Sequence, residues 1–281
     1  MSINTLCVCG AGTMGSGIAQ AAIQSGVYTI LYEPNEAVLE KAKAGIEKSF
    51  HMLVDKGKIN EEIKNKALQH IQYSNDVQGL LADVFIEAIV EKIEIKIGLF
   101  NQLAEMNHGE SIFATNTSSL SVTKIAEGVI NPARVIGMHF FNPATIMKLV
   151  EVVNTEFTNQ QTTDTIIELA KTMGKTPVLC KDAPGFIVNR VARPYYTEAL
   201  RLAEEKISSF EQTDRLMEAT GFKMGPFKLM DLIGNDINYA VSCSVHQQLG
   251  NPDRLKPSFI QKEKVDSGKL GKKSGEGYYQ Y

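Results

Sequence analysis

The chain has 281 residues, of which 43% are hydrophobic and 22% charged, and its formal net charge is −3. This length exceeds the size at which one hydrophobic core usually suffices, so we expect two domains. The weak negative charge gives no electrostatic basis for binding nucleic acid, and the first apolar run is too short for a signal peptide or a membrane span. We therefore expect a cytoplasmic protein with no nucleic-acid partner and no membrane association.

Short apolar strands alternate with helical segments over the first two thirds of the chain. The pattern begins with TLCVCG (5–10), a predicted buried strand, and a helix over 14–26 that ends at Gly26. A second strand (28–33) and a long amphipathic helix (35–57) follow. Later strands are predicted within 82–90, 111–117, 134–143, 148–154 and 176–182. This alternation predicts a mostly parallel sheet that is covered by helices on both faces.

The β pattern ends after KDAPG (181–185), and from Phe186 onward the apolar residues have helical spacing. We therefore predict an α/β chain in which residues 1–184 form a Rossmann-type, doubly wound domain and residues 185–281 form an all-α domain. The apolar faces of the helical half are more extensive than one small domain needs. We expect a homodimer that forms through this half.

The four cysteines form no CxxC pair, and no histidine lies near the first two of them. They are interpreted as reduced, mostly buried thiols, and no metal site is predicted. The residues are Cys7, Cys9, Cys180 and Cys243.

The first chemical motif is GAGTMG, which follows a predicted strand and opens a helix. Its glycines permit a tight turn, close approach of a pyrophosphate and close packing of the helix on the strand. Glu33, at the end of the next strand, can accept hydrogen bonds from the adenosine ribose and repels a 2′-phosphate, so NAD is predicted over NADP. The alternative is a glycine turn used for packing alone. The residues predicted to hold the cofactor at this loop are Gly10, Gly12, Thr13, Met14 and Gly15.

His139 ends an apolar strand, and Glu151 follows it by a short turn and a second strand. If these strands pair, the carboxylate can hold the imidazole as a general base that takes a proton from an alcohol. A buried histidine bonded to a structural glutamate is the alternative. Ser118, in NTSS (116–119), also follows a strand, but it could be a turn or cap hydroxyl for the helix at Ser121.

Seven segments together resemble the short-chain L-3-hydroxyacyl-CoA dehydrogenases, and most of all the bacterial 3-hydroxybutyryl-CoA dehydrogenases. The resemblance covers essentially the whole chain with the motifs in family order, and the combination of HFFNP with PGFxxNR is its most specific part. The segments are GAGTMGSGIAQ, EAIVEKIEIK, FATNTSSLSVTKIA, GMHFFNPATIMKLVEVV, KDAPGFIVNR, MGPFKLMDLIG and KSGEGYYQY.

The resemblance implies roles for particular residues. His139 matches the catalytic base of the family and Glu151 its acidic partner. Hydrogen bonds to the hydroxyl and thioester region of the substrate are implied for Ser118, Asn189 and Asn142. Contacts with the nicotinamide-side ribose and phosphates are implied for Glu91 and Lys96, and Asn116 matches a residue close to that ribose. Ser118 and Asn142 are also expected to bind the cofactor. Contacts with the coenzyme A tail are implied for Ser49 and Lys56.

Ordinary explanations exist for several of these residues. Asn189 could be exposed helix polarity, Lys56 could be favoured by the helix dipole, and Glu91 with Lys96 could be a solvated helix start. One departure from the family is visible, because the family often has aspartate where this chain has Glu33.

The function implied is NAD-dependent oxidation of (S)-3-hydroxyacyl-CoA, with 3-hydroxybutyryl-CoA as the expected substrate, and its reversal. Fatty-acid and butyrate metabolism are both compatible with this reaction. Two alternatives remain: a related 3-hydroxy-acid dehydrogenase acting on a free acid, such as a sugar acid or carnitine, and an inactive NAD-binding structural protein.

Overall fold

The computed structural model describes residues 3–108 and 110–281. It divides into two compact units, of which the first ends at Asp182 and the second spans Ala183–Tyr281. The predicted N-terminal domain ended at 184, and its residues 1, 2 and 109 lie outside the described residues.

The N-terminal unit is built on one eight-stranded sheet of order β3-β2-β1-β4-β5-β6-β7-β8. All neighbouring strands pair in parallel except β6 and β7, which are antiparallel. The chain runs from β1 outward to β3 on one side and from β4 outward on the other, so the strand order reverses between β1 and β4. The strands are β1 (Thr5–Cys9), β2 (Tyr28–Tyr32), β3 (Ile71–Ser74), β4 (Val84–Glu87), β5 (Ile112–Thr115), β6 (Val135–Phe140), β7 (Leu149–Asn154) and β8 (Thr176–Lys181).

Helices connect the strands of this unit, and their ends follow local signals. Gly26 and Gly57 have φ of +79° and +63° just beyond two helix ends. Asn60 caps the third helix, because its side chain accepts a hydrogen bond from the Ile63 N–H. The helices are α1 (Thr13–Gln24), α2 (Glu36–Asp55), α3 (Glu61–Leu68), α4 (Ile93–Met106), α5 (Val122–Glu127) and α6 (Gln160–Thr172).

The central strands β4, β5 and β6 are buried along their length and β1 is buried from Leu6 onward, as expected for a sheet with helices on both faces. Strand β8 differs, because Val178 and Leu179 are exposed in the isolated chain. It is the edge strand and has a single pairing neighbour, so the sequence prediction of a sheet covered on both faces does not extend to it.

The C-terminal unit is helical, as the sequence predicted. Its core is formed by Tyr196, Ala199 and Leu200 of one helix with Phe227 and Met230 of another. Pro194 lies inside the first of these helices, where it cannot donate to the Arg190 carbonyl. The helices are α7 (Val188–Glu204), α8 (Phe210–Ala219), α9 (Pro226–Ile233), α10 (Asn235–Gln248) and α11 (Phe259–Asp266).

Cys7 and Cys9 are buried, whereas Cys180 and Cys243 are half-buried, and all four thiols are free. Across residues 3–108 and 110–281 we find no helix long and apolar enough to cross a membrane. The same residues contain no cluster of three or more histidine, cysteine, aspartate or glutamate side chains suited to a metal ion.

Candidate active site

The glycine loop lies at the point where the strand order of the sheet reverses. Gly10 directly follows β1 with φ of +101°, and a Cβ atom there would lie 2.7 Å from the Ala88 carbonyl oxygen beyond β4. A Cβ atom at Gly15 would lie 1.7 Å from the Gly10 carbonyl oxygen. Only glycine fits either position, so the loop can turn sharply and α1 can pack directly against it.

Gly12 is different, because it faces open space. A Cβ atom built there would have no described atom beyond its chain neighbours within 4 Å. Gly12 is also the N-cap of α1 and provides no side-chain cap, so it leaves the first-turn N–H groups available to an acceptor. Thr13 and Met14 form the start of the same turn. An open loop at a helix N-terminus fits the pyrophosphate of a dinucleotide.

Glu33 reaches this loop from the end of β2. Its Oε2 accepts a hydrogen bond from the Ala11 N–H at 3.1 Å, and its Oε1 accepts one from the Asn35 N–H at 3.1 Å. The glutamate is therefore long enough to lie against the glycine loop. Its carboxylate lies beside the loop that would hold the phosphates, where it could accept hydrogen bonds from the adenosine ribose of a dinucleotide.

His139 and Glu151 pair as the sequence predicted. They are directly opposite each other in the antiparallel β6–β7 ladder, and the His139 Nδ1 lies 2.7 Å from the Glu151 Oε2. Both are buried, with exposures of 5% and 1%. Because a carboxylate accepts, Nδ1 carries the proton in the neutral ring and Nε2 is the nitrogen that can take up another. The Phe141 ring packs beside the imidazole, with centroids 4.6 Å apart.

Asn116, immediately after β5, ties the strand ends of this edge together. Its Oδ1 accepts a hydrogen bond from the Phe140 N–H at 2.8 Å, next to His139. Its own N–H donates to the Glu87 carbonyl at 2.8 Å. Asn116 therefore holds the end of β6, and its contact with a ribose stays a prediction.

Lys96 does not belong to a solvated helix start. Lys96 is 1% exposed, and its Nζ lies 3.0 Å from the Glu91 Oε2. Burial raises the pKa of Glu91, but the Lys96 ammonium and hydrogen bonds from Thr117, Lys96 and Ser118 outweigh it, and the pKa of Glu91 is lowered. The alternative of a solvated helix start is thus wrong for Lys96, whereas the Glu91 side chain is 38% exposed.

The sequence reading missed Glu87, the last residue of β4. It is completely buried, and its Oε1 lies 2.6 Å from the Lys96 Nζ. Burial raises the pKa of Glu87, although Lys96 and the hydrogen bonds to the carboxylate act in the opposite direction. The available signal was an acidic residue at the end of the apolar run VFIE, where a charge is unexpected unless it is paired.

Ser118 and Asn142 lie after β5 and β6, at the same edge as His139. The Ser118 N–H donates to the Glu91 Oε1 at 3.3 Å, whereas its hydroxyl forms no hydrogen bond within the described part of the chain. Ser121 is the N-cap of α5, so Ser118 does not cap that helix. Asn142 is exposed.

The remaining predicted residues lie farther along the chain. On α2, the Ser49 hydroxyl accepts a hydrogen bond from the Gln20 amide at 2.7 Å, and Lys56 is exposed at the helix C-terminus. Asn189 belongs to the C-terminal unit, in the first turn of α7, where its carbonyl accepts a hydrogen bond from the Arg193 Nε at 3.1 Å. Their contacts with a substrate stay predictions.

Comparison with known proteins decides the family. A sequence model of the 3-hydroxyacyl-CoA dehydrogenase NAD binding domain matches residues 5–183, and a model of the 3-hydroxyacyl-CoA dehydrogenase C-terminal domain matches residues 185–281. The chain belongs to the 3-hydroxyacyl-CoA dehydrogenase family. The predicted family, the predicted α/β architecture with a helical C-terminal part, and NAD as the cofactor are thereby confirmed, and the chain is of the NAD-dependent oxidoreductase type.

Individual relatives agree with this membership. The 3-hydroxyadipyl-CoA dehydrogenase of Escherichia coli (strain K12) is 45% identical, over 100% of this chain and 60% of that protein. The mitochondrial hydroxyacyl-coenzyme A dehydrogenase of Sus scrofa is 41% identical, over 98% of this chain and 90% of that protein. The crystal structure of (S)-3-hydroxybutyryl-CoA dehydrogenase from Ralstonia eutropha has a TM-score of 0.95 and 36% identity, covering 100% of this chain and 99% of that one. The chain thus spans about three fifths of the Escherichia coli relative.

Proposed function

We propose that the chain oxidises (S)-3-hydroxyacyl-CoA to 3-oxoacyl-CoA with NAD, and catalyses the reverse reduction, with His139 as the general base. The observation that carries this proposal is the bond of 2.7 Å between the His139 Nδ1 and the Glu151 Oε2 at the carboxyl end of β6. A short acyl chain, as in 3-hydroxybutyryl-CoA, is the proposed substrate, in keeping with the name of the Ralstonia eutropha relative.

The proton transfer follows from the tautomer that Glu151 imposes. His139 takes the proton of the 3-hydroxyl group at Nε2, because Nδ1 already donates to the carboxylate. The imidazole then carries a positive charge, which the buried Glu151 stabilises. The chemistry that NAD supplies when bound is acceptance of the hydride that leaves the same carbon. The glycine loop and Glu33 would hold the phosphates and the adenosine ribose of the dinucleotide.

The substrate contacts are proposed from the residues around this base. The Ser118 hydroxyl binds the 3-oxygen, and the Asn142 and Asn189 amides bind the hydroxyl and thioester region. Ser49 and Lys56 on α2 hold the coenzyme A tail, for which the exposed Lys56 ammonium suits a phosphate group. The ribose contacts of Glu91, Lys96 and Asn116 belong to the same proposal.

A kinetic assay that follows NADH absorbance tests the substrate class. We expect reduction of acetoacetyl-CoA with NADH, weak activity with NADPH, and essentially none with free acetoacetate. A series of 3-oxoacyl-CoA thioesters of increasing length then measures the chain-length preference. Equal kcat/KM for the free acid would favour the free-acid alternative, and no turnover of any compound would favour an NAD-binding structural protein.

A Glu151→Gln variant tests the pair itself. The amide cannot stabilise the imidazolium, so we expect kcat to fall about a hundredfold while the Kd for NADH changes less than about twofold. An equal loss of NADH binding would argue against this role for Glu151.

The homodimer is proposed from the C-terminal unit. Large apolar side chains stay exposed there, including Val191 on α7 at 72%, Leu232 on α9 at 50% and Ile237 on α10 at 52%. Burial against a second copy would remove this apolar surface from water. Light scattering at micromolar concentration should give a dimer mass, and a monomer mass would exclude it.

The cytoplasmic location is likewise proposed, and cell fractionation checks it.

A further inference from the structure

Glu87 is a buried charge that the proton transfer does not use. Its Oε1 accepts hydrogen bonds from the Lys96 Nζ at 2.6 Å and from the Ile89 N–H at 2.7 Å. Its Oε2 accepts one from the Thr115 hydroxyl at 2.8 Å. These partners lie at or just beyond the ends of β4 and β5, or on α4, which follows β4. Both carboxylate oxygens are therefore occupied at the ligand-facing edge of the sheet.

Lys96 connects this buried carboxylate to the surface of the site. Its ammonium also lies 3.0 Å from the Glu91 Oε2, and Glu91 is 38% exposed. The other oxygen of Glu91 holds the turn after β5, which we call the 117–119 turn. It accepts from the Thr117 hydroxyl, from the Ser118 N–H at 3.3 Å and from the Ser119 hydroxyl at 3.3 Å.

These contacts indicate that Glu87 holds Lys96 in place. A buried ammonium is costly unless it is paired, and Glu91 alone is a partly solvated partner. With Glu87 in place, Lys96 is held between two carboxylates and fixes the position of Glu91. Without the charge of Glu87, the Lys96 side chain loses its buried partner, and Glu91 with the 117–119 turn loses its anchor.

The place of this turn in the sheet says which half of the cofactor depends on it. Glu33 and the glycine loop lie at β2 and β1, on the adenosine side of the reversal point. A dinucleotide that binds across that point would have its nicotinamide half over the ends of β4, β5 and β6. The 117–119 turn and His139 are both at those ends.

We propose that Glu87 is a positioning residue that, through Lys96, fixes Glu91 and the 117–119 turn for the nicotinamide half of NAD and the substrate oxygen. Its link to the substrate oxygen rests on the proposed function, but its link to the cofactor does not. Glu87 itself touches neither ligand in this proposal, since it is completely buried and both its carboxylate oxygens accept hydrogen bonds from the protein.

The test compares two ligands in a Glu87→Gln variant. Glutamine has the same size and keeps one acceptor oxygen, but it removes the charge that holds Lys96. We expect the Kd for NADH, measured by fluorescence titration, to rise about tenfold, which corresponds to about 1.4 kcal/mol. The Kd for ADP, which lacks the nicotinamide half, should stay within about twofold. The kcat should fall as well.

Glu168→Gln is the matched control, because it removes a carboxylate from an exposed ion pair with Lys171 in the same unit. It should change none of these values. Equal weakening of ADP and NADH in Glu87→Gln would mean general destabilisation and would overturn the proposal. Unchanged binding of both ligands would overturn it too.

A second variant decides the matter if Glu87→Gln does not fold. Thr117→Val removes a hydroxyl donor to Glu91 without leaving a buried charge, so NADH alone should weaken, by a smaller factor. Unaltered NADH binding in this folded variant would contradict the proposal. These binding measurements need no turnover. A wild-type protein inactive with every thioester would refute the proposed function and with it the link of Glu87 to the substrate oxygen, and would leave the link to the cofactor standing.

Discussion

Both units bury carboxylates, but the two sets have different partners. In the N-terminal unit, Glu87 binds a lysine ammonium and Glu151 binds an imidazole. In the C-terminal unit, Asp231 is equally buried, yet all four of its hydrogen bonds come from backbone N–H groups, an amide and a phenol. These donors are the Asn235 Nδ2 at 2.9 Å, the Tyr278 N–H at 2.9 Å, the Tyr279 N–H at 3.0 Å and the Tyr281 hydroxyl at 3.1 Å.

The kind of hydrogen-bond partner distinguishes a carboxylate that only stabilises the fold from one that can support catalysis. Asp231, on α9, binds the last residues of the chain through the hydrogen bonds given above. Asp214, on α8, binds the start of α9, because it accepts hydrogen bonds from the Phe227 and Lys228 N–H groups, each at 2.9 Å. These donors only hold a carboxylate in place. Glu151 instead orients an imidazole, the side chain that most often serves as a general acid or base. Burial of an acid alone therefore does not indicate a site; the kind of partner does.

The largest expected effect is on turnover at the His139 pair. His139→Asn keeps a polar side chain of smaller volume but removes the base, so kcat should fall about a thousandfold. Thermal unfolding should change little by comparison, and NADH should still bind. His70→Asn, which alters a histidine bonded to the Lys66 carbonyl, is the control and should keep full activity. If the kcat of His139→Asn stayed within about tenfold of wild type, the His139–Glu151 pair would be structural, like the buried carboxylates of the C-terminal unit.

The next effect is on stability at the C-terminal carboxylate. Asp231→Asn places an amide NH₂ against donors that need an acceptor, so urea unfolding should show a loss of about 3 kcal/mol. Asp266→Asn, in an exposed pair with Lys262, should cost less than about 0.5 kcal/mol. If Asp231→Asn were as stable as the control, the hydrogen bonds of Asp231 to the last residues of the chain would not stabilise the fold.

The smallest expected effect is on the pH dependence of stability, at a tyrosine that donates to a buried carboxylate of the C-terminal unit. Burial, together with the hydrogen bond to Asp214 and its charge, raises the pKa of Tyr279. An unfolded tyrosine titrates near pH 10, at about its ordinary pKa, so above that pH the folded state binds more protons than the unfolded state. This contribution to stability is complete below about pH 10 and is lost as pH rises beyond it.

Tyr279→Phe should therefore show a smaller loss of unfolding free energy between about pH 9 and pH 11 than wild type. Urea midpoints measured across this range provide the check. Tyr28→Phe, which alters a more exposed phenol bonded to Gln72, should lose stability with pH as wild type does. Identical curves for Tyr279→Phe and wild type would show that the Asp214 contact does not hold its proton.

Much of the architecture could be predicted because its signals are local. The glycine loop follows its strand directly, and the alternation of short apolar runs with helices indicated the parallel sheet. The His139–Glu151 pair was also accessible, because a short turn between two strands allows only a nearby antiparallel return. The edge position of β8 was not predicted, although its sequence TPVLCK carries a signal for it in Pro177, because a proline inside a strand is typical of an edge.

The sequence by itself determined the strand and helix types, the glycine loop with Glu33, and the histidine that faces a glutamate. Only the tertiary structure decided that Lys96 points inward between Glu87 and Glu91, that the Asn116 side chain holds the end of β6, and that Asp231 receives the chain terminus. The physical reason is distance along the chain and direction in space. A parallel sheet brings strand ends together through long connections, and a long side chain turns inward only where packing provides its partner.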